Sequence, residues 1–146
     1  MAASDFPKPS VTVDVVIMTL RGEELHVLLV KRDVAPYKGR WAIPGGFVDY
    51  GETAEDAAVR EALEETGLAV TLVTLLGVYS DPARDPRRHT ISTVYIGAAR
   101  GTPSGRDDAA EARLFPEDGL PSPIAFDHAR ILADYFRYKK TGVRPM

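Results

Sequence analysis

Read as a pattern of apolar and polar positions, the chain falls into two β-rich stretches, each followed by a helix. Val11 to Leu20 and Leu25 to Lys31 are dense in β-branched and apolar residues, and the intervening Arg21-Gly22-Glu23-Glu24 predicts a hairpin. Trp41 to Val48 predicts a short strand running into paired glycines. A helix is expected next: Thr53 is placed to cap it, Glu55 and Asp56 suit its first turn, and Gly67 stands where a left-handed residue ends it. Leu68 to Tyr79 predicts a long strand or a bent pair, His89 to Ala99 another, and Ala112 to Phe115 a brief one. Ile131, Leu132, Tyr135 and Phe136 give Asp127 to Lys139 helical spacing. Ser80 to Arg88, with two prolines and three arginines, predicts a loop.

The first helix concentrates charge. At about 100° per residue, Glu61, Glu64 and Glu65 share one arc with Ala54, Ala57 and Ala58, while Val59, Ala62 and Leu63 are expected to face a core. Like charges at this spacing destabilise an isolated helix, so the cluster needs a compensating partner. A hard divalent cation supplies one, because Mg²⁺ takes carboxylate oxygens and is completed by water and substrate phosphate; Mn²⁺ is a possible substitute. Clustered acids beside phosphate point to metal-assisted hydrolysis. Gly45, Gly46 and Gly51 permit tight backbone and offer amide N–H groups to an anion. Arg60, next to the acidic face, is placed to pair with Glu52 and tie loop to helix, which makes both organisers of the catalytic centre.

A chain of 146 residues is long enough for one core and too short for two. We expect a single domain over residues 11–140 between flexible ends at 1–10 and 141–146. With 21 acidic and 18 basic residues the net charge is −3, which argues against a general nucleic-acid surface or a membrane patch. The absence of cysteine excludes disulfides, thiolate metal sites and thiol nucleophiles. Neither an apolar leader core nor an 18-residue apolar run occurs, and a soluble cytoplasmic protein is expected.

Gly46 to Leu68 resembles the Nudix box, G-x5-E-x7-R-E-U-x-E-E-x-G-U with U a bulky aliphatic, except that the first U is Ala62. The resemblance implies an α/β/α sandwich with a mixed sheet between helices, and hydrolysis of a nucleoside diphosphate linked to another group X. It implies metal ligation by Glu61, Glu65 and Glu64, with Glu64, Asp107 or Asp108 accepting the proton of an attacking water. Ser80-Asp81-Pro82-Ala83-Arg84-Asp85-Pro86-Arg87-Arg88-His89 resembles a stretch of ADP-ribose pyrophosphatase-like Nudix proteins, with Arg88 where glycine is frequent. Val11-Thr-Val-Asp-Val, Leu28 to Arg32, Gly105 to Ala109 and Ala125 to His128 are similar to the same branch, so the likeness spans residues 11 to about 136.

Arg84, Arg87 and His89 are therefore expected to bind substrate, together with Arg32, Gly45 and Gly46. Trp41 is read as a core or rim residue, His128 as packed and His26 as incidental. The implied reaction is Mg²⁺-dependent cleavage of ADP-ribose to AMP and ribose 5-phosphate. A nucleoside diphosphate sugar or an oxidised nucleotide is the alternative substrate, and homodimers are frequent among relatives. The N-terminal half also resembles the ligand-sensing Nudix-like domain of NAD-related repressors. Those carry a winged helix after the sensor, which this chain, ending at Met146, is expected to lack.

Overall fold

The computed structural model describes residues 6–146; positions 1–5 of the expected loose N-terminus lie outside the described residues. In chain order the elements are β1 (Ser10–Arg21), β2 (Glu24–Arg32), β3 (Trp41–Ala42), β4 (Gly45–Phe47), α1 (Ala54–Thr66), β5 (Thr71–Tyr79), β6 (Thr90–Ala98), β7 (Ala109–Pro116) and α2 (His128–Thr141), with a 3-10 turn at Glu117–Gly119. β1 and β2 form the expected hairpin, pairing Arg21 with Glu24 and Met18 with Val27.

Beyond Met18 and Val27 the two strands diverge, and a bent segment fills the gap. β3 pairs with β2 (Val30 opposite Ala42), and β4 pairs with β1 (Asp14 opposite Gly45). The single strand expected over Trp41 to Val48 is thus two, because Pro44 has no N–H to donate and Ile43 gives its N–H to His128 Nδ1 at 2.9 Å. On its other edge β1 runs parallel to β6 from Ser10–Thr90 to Met18–Ala98. β5 lies outside β6, and β7 lies along β2 from Pro116 to Ala109, with a one-residue register shift between Lys31 and Arg32, longer than the brief strand expected. The result is a mixed, seven-stranded sheet.

Alternation along β1 and β2 divides the apolar side chains between two layers. Val13, Val15, Ile17, Leu28 and Val30 pack on the α1 side; Val16, Val27 and Leu29 join Val94, Ile96, Ile131, Leu132 and Tyr135 on the α2 side. Each such burial contributes about 1.5–3 kcal/mol. This is the expected α/β/α sandwich.

The buried face of α1 differs from expectation. Ala62 is fully buried as expected, but so are Ala57 and Ala58 of the opposite arc, whereas Val59 and Leu63 are 37% and 46% exposed. The helix turns its alanine and glutamate face toward the sheet, since only small side chains let the carboxylates approach β4 closely. At its start the Thr53 hydroxyl accepts the Asp56 N–H at 3.1 Å, and Gly67, at φ 77°, returns its N–H to Leu63 O at 2.9 Å. α2 continues to Thr141, into the segment expected to be flexible, and Arg144 donates to Leu75 O at 2.8 Å and Thr74 Oγ1 at 2.6 Å.

Candidate active site

Arg60 organises the acidic end of α1. Its guanidinium donates to Glu52 twice (2.7 and 2.8 Å), to Glu61 Oε1 (2.9 Å), to Glu64 Oε2 (3.1 Å) and to Phe47 O (3.1 Å). Glu52 also accepts the Asp49 N–H, closing the turn before the helix. The paired hydrogen bonds from Arg60, and then that N–H, hold the Glu52 carboxyl down at about 2. Both residues sit beside the cavity and shape it, as the loop-to-helix tie requires.

The three glutamates differ in setting. Glu61 is wedged against Gly46, where an added Cβ would lie 2.5 Å from its Cδ. Burial raises its pKa against the pull of Arg60. Glu65 Oε1 accepts the Gly45 N–H at 2.8 Å. Burial pushes Glu65 up to about 8 against that bond, with Glu61 and Asp14 adding to the rise. Glu64 is the most exposed of the three. Gly45 therefore offers its amide to a protein carboxylate and not, as expected, to a bound anion. Its lack of a side chain is required by the close approach of Val13 O and Asp14.

Asp14 was not singled out as a functional residue, yet it lies buried on the cavity floor. Ser92 Oγ donates to Asp14 Oδ2, and His128 Nε2 stands 3.7 Å from Oδ1. Since His128 Nδ1 accepts from Ile43, Nε2 carries the proton. Burial lowers the His128 pKa and keeps the ring neutral, in keeping with a packed histidine. The available signal was a lone carboxylate within an apolar strand, a residue type seldom buried without a reason.

The proline-containing loop joins the site through α2. Arg84, its side chain 5% exposed, donates to both oxygens of Asp127 at 2.8 and 2.9 Å. Arg87 pairs with Asp85 at 2.8 Å; burial opposes ionisation of Asp85, but the Arg87 side chain and N–H outweigh it and lower its pKa. The Arg87 guanidinium lies 5.2 Å from the Phe47 ring centroid and 5.7 Å from that of Phe126, and Arg88 lies 5.4 Å from Phe47. Arg32 donates to Pro36 O and covers Phe126 at 5.0 Å. His89 instead turns back to Ser80 O at 3.1 Å, bracing the loop base outside the cavity lining.

These groups enclose a cavity of about 320 Å³. Glu61, Glu64 and Glu65 line one wall, Arg32, Arg84 and Arg87 contribute opposing positive charge, and Asp107 and Asp108 reach in from the segment before β7. Phe47 and Phe126 supply aromatic surface that the sequence pattern did not mark. Trp41 instead packs edge-on against Phe115 at 5.0 Å.

Among the described residues, no three acidic or histidine side chains already converge on one point, since Arg60 holds Glu61 and Gly45 holds Glu65. The donor set nevertheless fits a hard divalent cation. It is all carboxylate oxygen, and two of its members, Glu61 and Glu65, are half-buried beside like charge with their ionised forms disfavoured.

A family model described as the NUDIX domain matches residues 8–135. The ADP-ribose pyrophosphatase of Methanocaldococcus jannaschii is 49% identical over 132 residues, covering 90% of this chain and 75% of that protein. The ADPR responsive transcriptional repressor NtrR of Acinetobacter baylyi is 31% identical over 140 residues; the match covers 91% of this chain and 55% of the repressor. Among solved structures, the NUDIX domain of Shewanella oneidensis NrtR complexed with ADP ribose superposes with a TM-score of 0.83 at 27% identity, covering 97% of this chain and 94% of that one. From the match over residues 8–135, the 49% identical relative and the shared sandwich, the chain belongs to the NUDIX family, as a hydrolase.

Proposed function

We propose that this protein is a magnesium-dependent pyrophosphohydrolase that cleaves ADP-ribose to AMP and ribose 5-phosphate. The observation that carries the reading is the single cavity in which the α1 carboxylates face Arg32 and Arg87. A diphosphate bridges such a pair of walls, with cation on one side and guanidinium on the other. ADP-ribose is the substrate named for the 49% identical relative and the ligand in the NrtR complex.

Glu61, Glu64 and Glu65 would hold the cation, with Mn²⁺ as a substitute; a manganese ion accompanies AMP in a related bifunctional enzyme from Francisella tularensis. A cation held by these carboxylates would supply neutralisation of the diphosphate charge and a more acidic water. Arg32 and Arg87 orient the phosphates, Arg84 anchors their loop, Gly46 leaves room for Glu61, and Phe47 and Phe126 present ring surface toward the rest of the substrate. Glu64, Asp107 or Asp108 accepts the proton of the attacking water. We read the protein as a cytoplasmic homodimer acting on a nucleotide-derived small molecule, with no nucleic-acid or membrane partner. Exposed Val73, Leu75 and Val78 on the outer strand β5 support self-association.

The test is a panel of ADP-ribose, nucleoside diphosphate sugars and oxidised nucleoside triphosphates, with products identified by mass and kcat/KM compared. ADP-ribose is expected to lead, EDTA to abolish turnover and added Mg²⁺ to restore it. Turnover that persists in chelator overturns the metal assignment. Likeness to the ADP-ribose complex of NrtR favours a second reading, a ligand sensor, for which calorimetry would record ADP-ribose binding without turnover.

A further inference from the structure

Asp14 lies at the catalytic cavity; five residues farther along β1, about 17 Å away, Thr19 lines a second one. This groove of about 900 Å³ is walled by Met18, Leu20, Leu25, Ala69 and Ala99. Its size lies within the range of small-molecule sites, and its mostly apolar wall contrasts with the charged catalytic cavity. Leu20 is 64% exposed, a large aliphatic side chain left at the groove without a cover.

Two independent features give the groove chemical character. Thr19 is only 5% exposed, and its hydroxyl has no hydrogen-bond partner. The residue opposite it, His26, leaves Nδ1 unpartnered too, so the hairpin does not satisfy either group. A buried hydroxyl in this state is destabilising, and a ligand's polar atom removes that penalty. Arg21 and Arg100 also line the groove, and among the described residues neither forms an ion pair with a carboxylate.

A covalent path leads from this groove to the catalytic cavity. Arg100, Gly101 and Thr102 line the groove, while Asp107 and Asp108 of the same segment line the catalytic cavity. Between them, Ser104 N–H donates to Thr66 O at 3.0 Å and Arg106 N–H to Glu65 O at 3.1 Å, fastening the segment to the end of the glutamate helix. Asp107 is held at φ 52°, a left-handed conformation that a shift of this segment would release.

We propose that the groove binds a small amphipathic anion, with its apolar body on Met18, Leu20 and Leu25 and its anionic head between Arg21 and Arg100. Occupancy is transmitted to Asp107 and Asp108 through the segment from Ala99. The transmission rests on the hydrolytic reading given above; the binding does not, and is read without substrate.

The experiment titrates the full chain with anilinonaphthalene sulfonate, followed by fluorescence, and displaces it with decanoate. Ala69→Trp fills the groove from an exposed position, and Arg21→Glu reverses its charge; neither touches the catalytic cavity. Saturable one-to-one binding weakened about tenfold or more by each variant, at unchanged Tm, is the expected result. Absence of saturable binding, binding that survives both variants, or competition by AMP overturns the site. In the second arm, decanoate is expected to change kcat for ADP-ribose at least about twofold in the native protein and not in Ala69→Trp. Unchanged kcat with intact binding overturns the transmission alone, and absence of any turnover, with binding intact, refutes the hydrolytic reading instead.

Discussion

Glu65 Oε1 accepts the Gly45 N–H at 2.8 Å, joining the last turn of α1 to a strand twenty residues earlier in the chain. The same carboxylate is thus a fastener of the fold and a proposed metal ligand, and the two duties separate on substitution. Glu65→Gln keeps an oxygen for Gly45 and removes the charge. We expect kcat for ADP-ribose at saturating Mg²⁺ to fall by about two orders of magnitude or more while the thermal midpoint stays close to native. Near-normal turnover would remove the central claim.

Gly45 and Gly46 are adjacent but fail differently when a methyl group is added. A Cβ at 45 would lie 2.1 Å from Val13 O, which is backbone and cannot yield; at 46 it meets the end of the Glu61 side chain. Gly45→Ala should cost about 1–3 kcal/mol or more of stability in a denaturant melt. Gly46→Ala should fold nearly as well yet lose most activity, because Glu61 is pushed aside. A Gly46→Ala protein with full activity would show that the position of Glu61 is unimportant.

The two loop arginines expected to bind substrate, Arg84 and Arg87, have unequal roles. Arg84 is nearly inaccessible and held through Nε and Nη2 by both oxygens of Asp127, so Arg84→Ala strands a carboxylate and should cost about 3 kcal/mol, seen as a lowered Tm. Burial works against the Arg84 charge, but Asp127 more than compensates and raises its pKa, in line with a structural ion pair. Arg87→Ala should leave stability close to native and raise KM for ADP-ribose more than for a nucleoside triphosphate. Equal losses on both substrates would reduce Arg87 to a source of general positive field.

Alkaline stability follows from buried tyrosines. Burial, aided by Glu55, lifts Tyr95 to about 12; burial, aided by Glu117, does the same for Tyr135; Tyr79 is raised further by burial and Asp134. The unfolded chain loses these protons near pH 10 and the folded chain later, so the stabilisation they give is complete below about pH 10 and declines as pH rises from 10 toward 12. Tm should fall over that window, and less steeply in Tyr135→Phe. An identical slope in that variant would exclude Tyr135 as a contributor.

The legible part of this protein was the part written locally. The glutamates, Arg60 and the helix caps lie at short spacings along one element, where helix geometry predicts their arc, and Glu52 stands in the turn just before it, within reach of Arg60. Asp14 was not legible as a site residue, since its partners Ser92 and His128 are 78 and 114 positions away by sequence number and meet it only through the parallel β1–β6 pairing and the docking of α2. Val59 and Leu63 misled because size normally marks the buried face; here the carboxylates must approach the sheet, and alanine is the residue that allows it. Phe47 and Phe126 carried no pattern, as one ends a three-residue strand and the other lies in a turn, and each gains meaning from the arginines that cover it.

Because Arg84 is locked to Asp127 at the start of α2, the loop between β5 and β6 is fastened at its middle, while the arm that returns to β6 is held separately, by Arg87 on Asp85. Residues on that arm, Arg87 and Arg88 among them, can be exchanged without unfastening the loop from the second helix. Substrate preference in this architecture is therefore an evolvable trait decoupled from foldability. A chain could drift toward a different X by changing this arm while the Arg84 anchor, the sheet and the glutamate helix stayed as they are.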